Sequence, residues 1–530
     1  MPQEDVSSSP GTSNVPAQPI SESNGEFKVL EAVHIFHASL RRLLLSACAL
    51  LFLFAIAAGE RLAAQEDITT QNASSAVGGA YITGPASNPL SFLNGTAWRT
   101  TGNPSPYDFN DFAPVTGLDG ALPRWVGVQV GERFRYEDYS NSNLKANVDD
   151  SYLLGRFRLQ MDLYARSLLR VTAQVQDARS GYQSPPIGPP NSVRWDLKLA
   201  YAEVGAPDKH WFSLRVGRQR IHYNNTIISD SEWRNQGRSY DAVVLNLNAK
   251  REHLGIFAAS VMVPQAFGVS PHQESNNIYG AYGRIDNIIP NSSLEPFILW
   301  RVQPAVVIEP AVAETTGKQN EKAYGVRFKA RALTTLDYSG EIILENGTVG
   351  PQPIRAWAAE LGAAYQFFDV KAKPRLFAQY DFASGNGSPH TSGRHSTFDT
   401  IYPSAHDRFG ISDIFGWQNI KAVRVGSTVE PHRRLTATVQ VLDLWADSAL
   451  DAIYNTSGSS IVYNKTANGR HLGAEIDCYS WYELNRHFNI GGGYAYFGGG
   501  QFLSHVTTSH AYKTYYIALD FKDHGRGRTE

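Results

Sequence analysis

Arginine is the residue type in this chain whose spacing could do chemistry. Arg133 and Arg135, and again Arg156 and Arg158, are separated by a single aromatic residue. The planar guanidinium group binds carboxylates through two parallel hydrogen bonds. Residues i and i+2 of a β-strand lie on the same face, so each pair would present two guanidiniums to one side of a sheet. The expected chemistry is therefore the binding of an anion.

No catalytic or metal-binding motif accompanies these arginines in the sequence. The patterns H-E-x-x-H, G-x-S-x-G, the Walker loop and C-x-x-C are absent. His390, His395 and His406 share one connection between predicted strands, but their spacing matches no metal motif. We therefore expect a protein without catalytic residues, without a metal and without a cofactor.

Composition narrows the class of protein. The 530 residues include 48 Lys and Arg against 50 Asp and Glu, whereas nucleic-acid-binding proteins usually carry a basic excess. Charged residues make up 18% of the chain, below the roughly 25% of soluble domains. A mean hydropathy of −0.30 argues against a bundle of transmembrane helices. Two cysteines cannot form a disulfide framework.

The N-terminal region has features of secretion. Arg41 and Arg42 precede an apolar run from Leu43 to Ala58, which is shorter than the roughly 20 residues of a membrane-spanning helix. We expect residues 41–64 to be a cleaved signal peptide, with a retained signal anchor as the alternative. Residues 1–40 are then a disordered extension, which a start codon assigned too far upstream would explain.

A period-two alternation of apolar and polar residues begins at Trp125. In the segment from Ser151, for example, Leu159, Met161 and Leu163 alternate with polar residues. Each segment has about 8 to 12 residues, close to the roughly 9–11 of a tilted transmembrane strand. A soluble sandwich rarely sets arginine against its core in strand after strand, whereas a lipid-embedded barrel with an aqueous interior requires this pattern.

Eighteen such segments predict an all-β fold: an 18-stranded antiparallel transmembrane β-barrel of the outer-membrane type over residues 125–521. They begin near Trp125, Ser151, Leu168, Asp196, Phe212, Tyr240, Leu254, Asn277, Leu294, Glu321, Leu336, Arg355, Pro374, Asn419, Leu435, Arg470, Phe488 and Ala511. Connections after even-numbered segments are short, as periplasmic turns are, and those after odd-numbered segments are mostly long, Val302 to Asn320 among them. Residues 65–124 are expected to be irregular, either periplasmic or a partial plug, and 522–530 to be a periplasmic tail.

Strand alternation also predicts which charged side chains face the lumen. The inward basic residues are Arg133, Arg135, Arg156, Arg158, Arg170, Lys198, Arg215, Arg327, Lys329, Arg331 and Arg424. The inward acidic residues are Glu341, Glu360, Asp381, Glu475 and Asp477. Rings of Arg and Lys favour anions in a pore. The alternative is a set of neutralised Arg–acid ladders that stiffen the wall.

Two short motifs carry a family resemblance. Gly217-Arg218-Gln219 ends one predicted strand, and W-R-N-Q-G-R-S-Y-D at Trp233–Asp241 opens the next. This pattern resembles the alginate export family of outer-membrane porins. The resemblance implies an 18-stranded barrel that passes an anionic polyuronate through an arginine-rich pore.

The residues around these motifs also have a physical interpretation of their own. Arg218, Arg234, Arg238 and Asp241 surround an outer loop long enough to fold into the barrel mouth. There the arginines could bind carboxylates, with Asp241 positioning one of them. The alternative is a structural Arg–Asp clamp that fixes the loop to the wall, and the two interpretations are compatible.

The sequence thus predicts a passive channel for anionic solutes in the outer membrane of a Gram-negative cell. Alginate-like polyuronate or acidic oligosaccharides are the expected solutes, and export would need periplasmic partners. Because Phe521 ends the last strand with an aromatic residue, we also expect the barrel-assembly machinery and outer-membrane lipid as partners. The alternatives are a barrel enzyme of the lipase type and a plugged structural or adhesive barrel.

Overall fold

The computed structural model describes residues 125–522, apart from 166–167, 182–191, 206–210, 224–225, 250, 310–312, 388–392, 405, 464–468 and 486. The predictions for the extension, the signal peptide, the segment 65–124 and the C-terminal tail lie outside the described residues. Among the described residues, no helix has the length and apolar character needed to cross a bilayer.

Eighteen antiparallel strands form one closed barrel. They are β1 (Val126–Ser140), β2 (Asp150–Ala165), β3 (Leu169–Gly181), β4 (Val193–Gly205), β5 (Phe212–Gln219), β6 (Tyr240–Asn248), β7 (Glu252–Met262), β8 (His272–Asp286), β9 (Ser292–Glu309), β10 (Ala313–Ala332), β11 (Leu336–Val349), β12 (Gln352–Gln366), β13 (Arg375–Ala383), β14 (Ile420–His432), β15 (Leu435–Ala446), β18 (His471–Glu483), β19 (Phe488–Gly499) and β20 (Ala511–Lys522). Each strand pairs with its neighbours in the chain, and β20 pairs with β1, which closes the sheet. A small hairpin of β16 (Ala452–Tyr454) and β17 (Ser460–Tyr463), a 3-10 turn (Ser142–Leu144) and a short helix α1 (Gln501–Ser504) lie in the connections.

The alternation of side chains explains why these residues form a barrel. On β15 the outward Val439 and Val441 are exposed, whereas the inward Thr438, Gln440 and Leu442 are buried. The outward face is thus apolar and the inward face mostly polar, as lipid on one side and a polar interior on the other require. The predicted 18-stranded barrel is confirmed.

The predicted strand starts lie close to the observed ones, except those of β8 and β10. β10 begins at Ala313 because its ladder with β9 continues up to Glu309. The prediction of a long connection from Val302 to Asn320 was therefore wrong, since most of that stretch is strand. Alternation of exposed and buried residues is already interrupted at Pro304 and Ala305, which are adjacent and both exposed.

Short turns follow the even-numbered barrel strands and lie at the end of the barrel where β1 begins and β20 ends. The turn after β10, for example, is Leu333–Thr335. Leu333 and Thr334 have φ of 53° and 60°, the left-handed backbone that tight hairpins need. Long connections lie at the opposite end, among them the β5–β6 loop (residues 220–239) and the β13–β14 loop (residues 384–419).

These two loops meet inside the barrel. The backbone N–H of Tyr402 donates to the carbonyl of Ile227 over 3.0 Å, and the N–H of Ser229 donates to the carbonyl of Tyr402 over 2.9 Å. Ile227 packs in one buried apolar cluster with Phe398 and Trp417 of the other loop. The half of the lumen nearer the long loops is therefore occupied by the chain itself.

Candidate functional site

The four arginines of β1 and β2 converge on residues 232–234 of the β5–β6 loop, and the two arginines of β2 bind the carboxylate of Glu232. Arg158 binds Glu232 through two hydrogen bonds, Nη1 to Oε2 at 2.5 Å and Nη2 to Oε1 at 3.1 Å. Arg156 Nη1 lies 3.3 Å from the same Oε2. We call Arg133, Arg135, Arg156 and Arg158 the arginine cluster; all four are buried. Their inward placement agrees with the alternation of the strands.

Backbone carbonyls of the loop accept further hydrogen bonds from the arginine cluster, and Arg135 also pairs with Glu137 of its own strand. Arg133 Nη2 and Arg135 Nη1 donate to the carbonyl of Trp233 at 3.0 and 2.8 Å. Arg156 Nη1 donates to the carbonyl of Glu232 at 3.0 Å. Buried cations need such acceptors, since an unpaired one would carry a large desolvation penalty. The loop is therefore the counterpart of the cluster.

Glu232 is ionised in this environment. Burial alone would raise the pKa of its carboxyl group, but the charges of Arg158, Arg156, Arg220 and Lys198 hold that pKa well below its usual range. Glu232 lies in the loop after β5. The residue types of this loop do not mark any one acidic residue as functional, so sequence analysis missed Glu232. Its one signal was its position directly before the W-R-N-Q-G-R motif.

The backbone geometry and hydrogen bonds of the loop explain why the motif contains a glycine and an asparagine. Gly237 has φ of 68°, and a Cβ there would lie 2.6 Å from Glu232 Oε1 and 3.2 Å from Lys198 Nζ. Asn235 Nδ2 donates to the carbonyls of Gly155 and Arg179, at 3.0 and 3.1 Å. The motif therefore fixes the loop against β2 and β3 and lets its backbone approach the ionic centre.

Further around the barrel, β12, β13 and β18 have the reverse charge pattern. Arg408 of the β13–β14 loop lies 3.0 Å from Glu360 and 2.5 Å from Asp381, and its guanidinium lies 3.8 Å from the centre of the Trp417 ring. The loop residue Ser412 donates its N–H to Glu475 Oε1 over 3.1 Å. Acidic wall residues thus bind a loop cation, just as the arginine cluster binds a loop anion. Sequence analysis missed Arg408 because nothing in its surroundings marked it as inward-facing.

The other predicted inward residues of this wall also contact the loops. Asp477 accepts the N–H of Ile411 over 3.2 Å, and Glu341 accepts the hydroxyl of Thr226 over 2.8 Å. Arg424 donates to the carbonyl of Asp407 over 2.7 Å. The predicted alternative of a neutralised wall therefore describes this half of the lumen, with loop residues as the neutralising partners.

The half of the lumen nearer the short turns contains ionic groups with two cations per carboxylate. Arg170 and Arg215 share Glu203, at 2.5 and 2.9 Å, and their guanidiniums lie 5.6 and 4.9 Å from the centre of the Tyr201 ring. The side chain of Arg170 is 32% exposed. Within this group two guanidiniums share the one carboxylate with which they form ion pairs.

A second group of this kind lies across the barrel. Arg331 and Arg375 share Asp337, at 2.6 and 3.1 Å. On β10 the inward Lys329 lies 3.6 Å from Glu295, and Arg327 pairs in register with Glu341.

Inside the described part of the chain, no group of three or more His, Cys, Asp or Glu side chains is arranged to hold a metal ion.

The remaining predicted site residues do not line the lumen. Arg218 and Asp241 form an ion pair at 3.0 Å. They share the outward face with the exposed Val216 and Val243. They therefore do not lie at the pore mouth, where the sequence predicted them. Alternation continues through Gly217 to the predicted strand end at Gln219, and it places Arg218 on the outward face.

Arg234 and Arg238 bind other loops instead of facing an open mouth. Arg234 Nη2 donates to Ser457 Oγ over 2.8 Å, and burial beside Arg238 lowers the pKa of Arg234 to about 10. Arg238 Nη1 donates to the carbonyls of Ser229 and Tyr402, both at 2.9 Å. These contacts fix the β5–β6 loop to other loops through a hydroxyl and backbone carbonyls, and not to the wall through the predicted Arg–Asp clamp.

Comparison with known proteins bears on the whole barrel. A family model described as alginate export matches residues 124–516. The solved structure of Pseudomonas aeruginosa OpdQ is similar with a TM-score of 0.51 at 11% identity, over 75% of this chain and 97% of that chain. Pseudomonas aeruginosa OpdO has the same TM-score and identity over 76% of this chain and 97% of that chain. No curated protein matches significantly.

Proposed function

The chain belongs to the alginate export family, and from this premise we propose that it is a channel for anionic saccharides that its own β5–β6 loop closes. The coarse assignment, an outer-membrane channel with a porin-like barrel, follows from the family and the fold. The observation that supports an anionic saccharide as the solute is the pair of hydrogen bonds by which Arg158 binds the carboxylate of Glu232. A uronate carboxylate has the same shape and charge as the glutamate carboxylate that the arginine cluster already binds.

The proposed mechanism is exchange of one carboxylate for another. A carboxylate of the solute replaces Glu232, so the buried guanidiniums of Arg156 and Arg158 remain paired throughout. The displaced loop then leaves space in the lumen. Because the ion pairs are exchanged and not lost, the main cost is the loss of the loop's remaining contacts, and the open state is favoured only when solute binds.

The half of the lumen nearer the short turns would make first contact with a solute from the periplasm. Arg170 and Arg215 carry more positive charge than Glu203 neutralises. Tyr201 adds an aromatic face beside these guanidiniums, on which a sugar ring could pack. Surplus charge in a low-dielectric passage concentrates anions at its entrance. Export partners in the periplasm and a cleaved signal peptide remain part of this proposal.

A plugged structural or adhesive barrel is the second candidate. The observation that favours it is the buried apolar cluster between the loops, which includes Ile227, Phe398 and Trp417. Such a cluster stabilises the closed lumen independently of any ion pair. In this case the outer loops, and not the lumen, would bind partners.

Single-channel recording in planar bilayers tests the two candidates. The full-length protein should open rarely, and its reversal potential in a salt gradient should indicate preference for anions. Oligouronate should raise the open probability, whereas a neutral oligosaccharide of equal length should not. Clear cation selectivity would contradict the channel proposal. Absence of conductance in both the wild type and Glu232→Gln would favour the plugged barrel.

A further inference from the structure

A stack of parallel aromatic rings lies inside the barrel, and both the wall and the β5–β6 loop contribute to it. The ring of Tyr223 in the loop lies 4.6 Å from that of Tyr282 on β8, with 2° between the ring planes. The ring of Tyr282 lies 5.3 Å from that of Phe297 on β9, with 3° between the planes. Tyr282 and Phe297 are buried inward residues of the wall. The loop therefore places an aromatic ring on an aromatic surface of the wall.

Glycines on the neighbouring strands make space for this stack. Gly255 on β7 pairs in register with Tyr282, and Gly325 on β10 pairs in register with Phe297. A Cβ on Gly255 would lie 2.7 Å from Cζ of Tyr223, and a Cβ on Gly325 would collide with the ring of Phe297. Glycine inside a strand often marks a place where a ligand or another chain segment approaches closely. The wall thus leaves room for a flat ring beside Tyr282, and the loop supplies that ring.

Charged groups border the stack on the side of the short turns. Tyr282 Oη donates to Glu295 Oε2 over 2.8 Å, and Lys329 Nζ lies 3.6 Å from Glu295 Oε1. Glu295 precedes Phe297 by two residues on β9, which begins at the short-turn end of the barrel. A carboxylate accepts hydrogen bonds from hydroxyl groups, and an ammonium group binds carboxylates. An aromatic face with a few polar groups at its edge suits a sugar ring, whose C–H face is apolar and whose rim is polar.

We propose that Tyr282 and Phe297, with Glu295 at their edge, form a subsite for one pyranose ring of the solute. In the docked loop Tyr223 occupies this subsite. The inference rests on the proposed function, since the loop must leave before a sugar can stack on Tyr282. It adds an exchange of rings to the exchange of carboxylates at Glu232. The docked loop then presents to the wall both chemical parts of a uronate, its carboxylate and its ring.

Two exchanges explain why a uronate would open the lumen better than simpler solutes. A solute shifts the equilibrium between docked and open loop only by its differential affinity for the two states. A small anion can replace Glu232 but leaves the stack of Tyr223 on Tyr282 in place. A neutral sugar can replace Tyr223 but leaves Glu232 on its arginines. Only a solute with both parts gains contacts at both places where the loop loses them.

A Tyr223→Leu background separates stacking by the solute from stacking by the loop. This variant already lacks the loop ring, so a second substitution at Tyr282 costs no further loop stacking. The measured quantity is the dissociation constant of an oligouronate, taken from the concentration dependence of channel current in planar bilayers. Tyr223→Leu combined with Tyr282→Leu should bind about fivefold or more weakly than Tyr223→Leu, because the sugar loses an aromatic face. Tyr223→Leu combined with Tyr282→Phe keeps the ring and should bind within about twofold of Tyr223→Leu.

Tyr279→Leu in the same background is the matched control, because Tyr279 lies on the outward face of β8, where its ring lies 5.1 Å from that of Trp300. The ratio of anion to cation permeability should be the same in all these variants, since no charge changes. Equal dissociation constants with leucine and tyrosine at position 282, in barrels shown to be folded by heat-modifiable gel migration, would overturn the ring subsite and leave the anion channel intact. Channels of the wild type and of Tyr223→Leu that do not respond to oligouronate would contradict the proposed function, and the subsite with it.

Discussion

The indole ring of Trp233 stacks on the imidazole of His406, with ring centroids 3.6 Å apart and ring planes 5° apart. Trp233 belongs to the β5–β6 loop and His406 to the β13–β14 loop. Arg135 of the barrel wall lies 3.9 Å from the centre of the same indole ring. One side chain thus connects the wall and both loops, and the position of one loop depends on the other.

Replacing Trp233 should weaken the contact between the loops. Trp233→Ala removes the stack on His406 and the cation–π contact with Arg135, at a cost of about 1–3 kcal/mol in loop docking. We expect a higher open probability in planar bilayers. Trp445→Ala is the control, because Trp445 contacts His471 at 5.6 Å on the outward face. Equal open probabilities in both variants would show that the stack does not hold the lumen closed.

Removing the charge of Glu232 should release the β5–β6 loop. Glu232→Gln keeps the shape of the side chain but removes the carboxylate that pairs with the buried guanidiniums of Arg156 and Arg158, which costs about 3–5 kcal/mol. Single-channel recordings should show larger and more frequent openings with stronger anion preference. Closed traces identical to those of the wild type would mean that the loop carbonyls alone hold the loop.

The same carboxylate predicts a pH dependence of closure. The pKa of Glu232 is held well below the usual glutamate value of 4.5 when the loop is docked. A lowered pKa in the docked state stabilises docking fully above about pH 4.5, and this contribution is lost as pH falls through the docked value. Openings should therefore increase as the pH is lowered below about 4.5. This increase should be absent in Glu232→Gln, and its persistence there would assign it to another group.

The fold was predictable because transmembrane strands repeat one simple pattern. On β2, Leu159 and Met161 face outward and Gln160 and Asp162 face inward, as alternation alone predicts. Alternation is a property of each strand by itself. It therefore predicts which face a side chain lies on, but not which residues that side chain contacts. It failed at Ala313, where strand pairing continues beyond the membrane.

The content of the lumen was not predictable in the same way. Alternation placed the arginine cluster on the inward face, but its partner Glu232 lies 74 residues from Arg158 in the chain. No local pattern encodes that distance, since it depends on where a loop folds. The motif around Gly237 was the only local trace of the docked loop, because its backbone geometry requires glycine.

Gly237 should tolerate no side chain in the docked loop. Gly237→Ala places a Cβ near Glu232 Oε1 and also strains a backbone with φ of 68°, which together cost more than about 1 kcal/mol. Gly268→Ala separates the two effects, because Gly268 has φ of 83° but no atom within 4 Å of such a Cβ. Limited proteolysis should cut the β5–β6 loop faster in Gly237→Ala only. Equal rates in both variants would contradict a close-packed loop.

Anion preference should depend on Arg170 and not on Arg218. Arg170 faces the lumen and shares Glu203 with Arg215, so Arg170→Gln removes the surplus charge of that group. We expect the ratio of anion to cation permeability to fall by about twofold, because the local potential that attracts anions decreases. Arg218→Gln should leave the ratio unchanged, since Arg218 pairs with Asp241 on the outward face. Reversal potentials measured in a salt gradient give both ratios, and an equal loss in the two variants would contradict the assignment of faces.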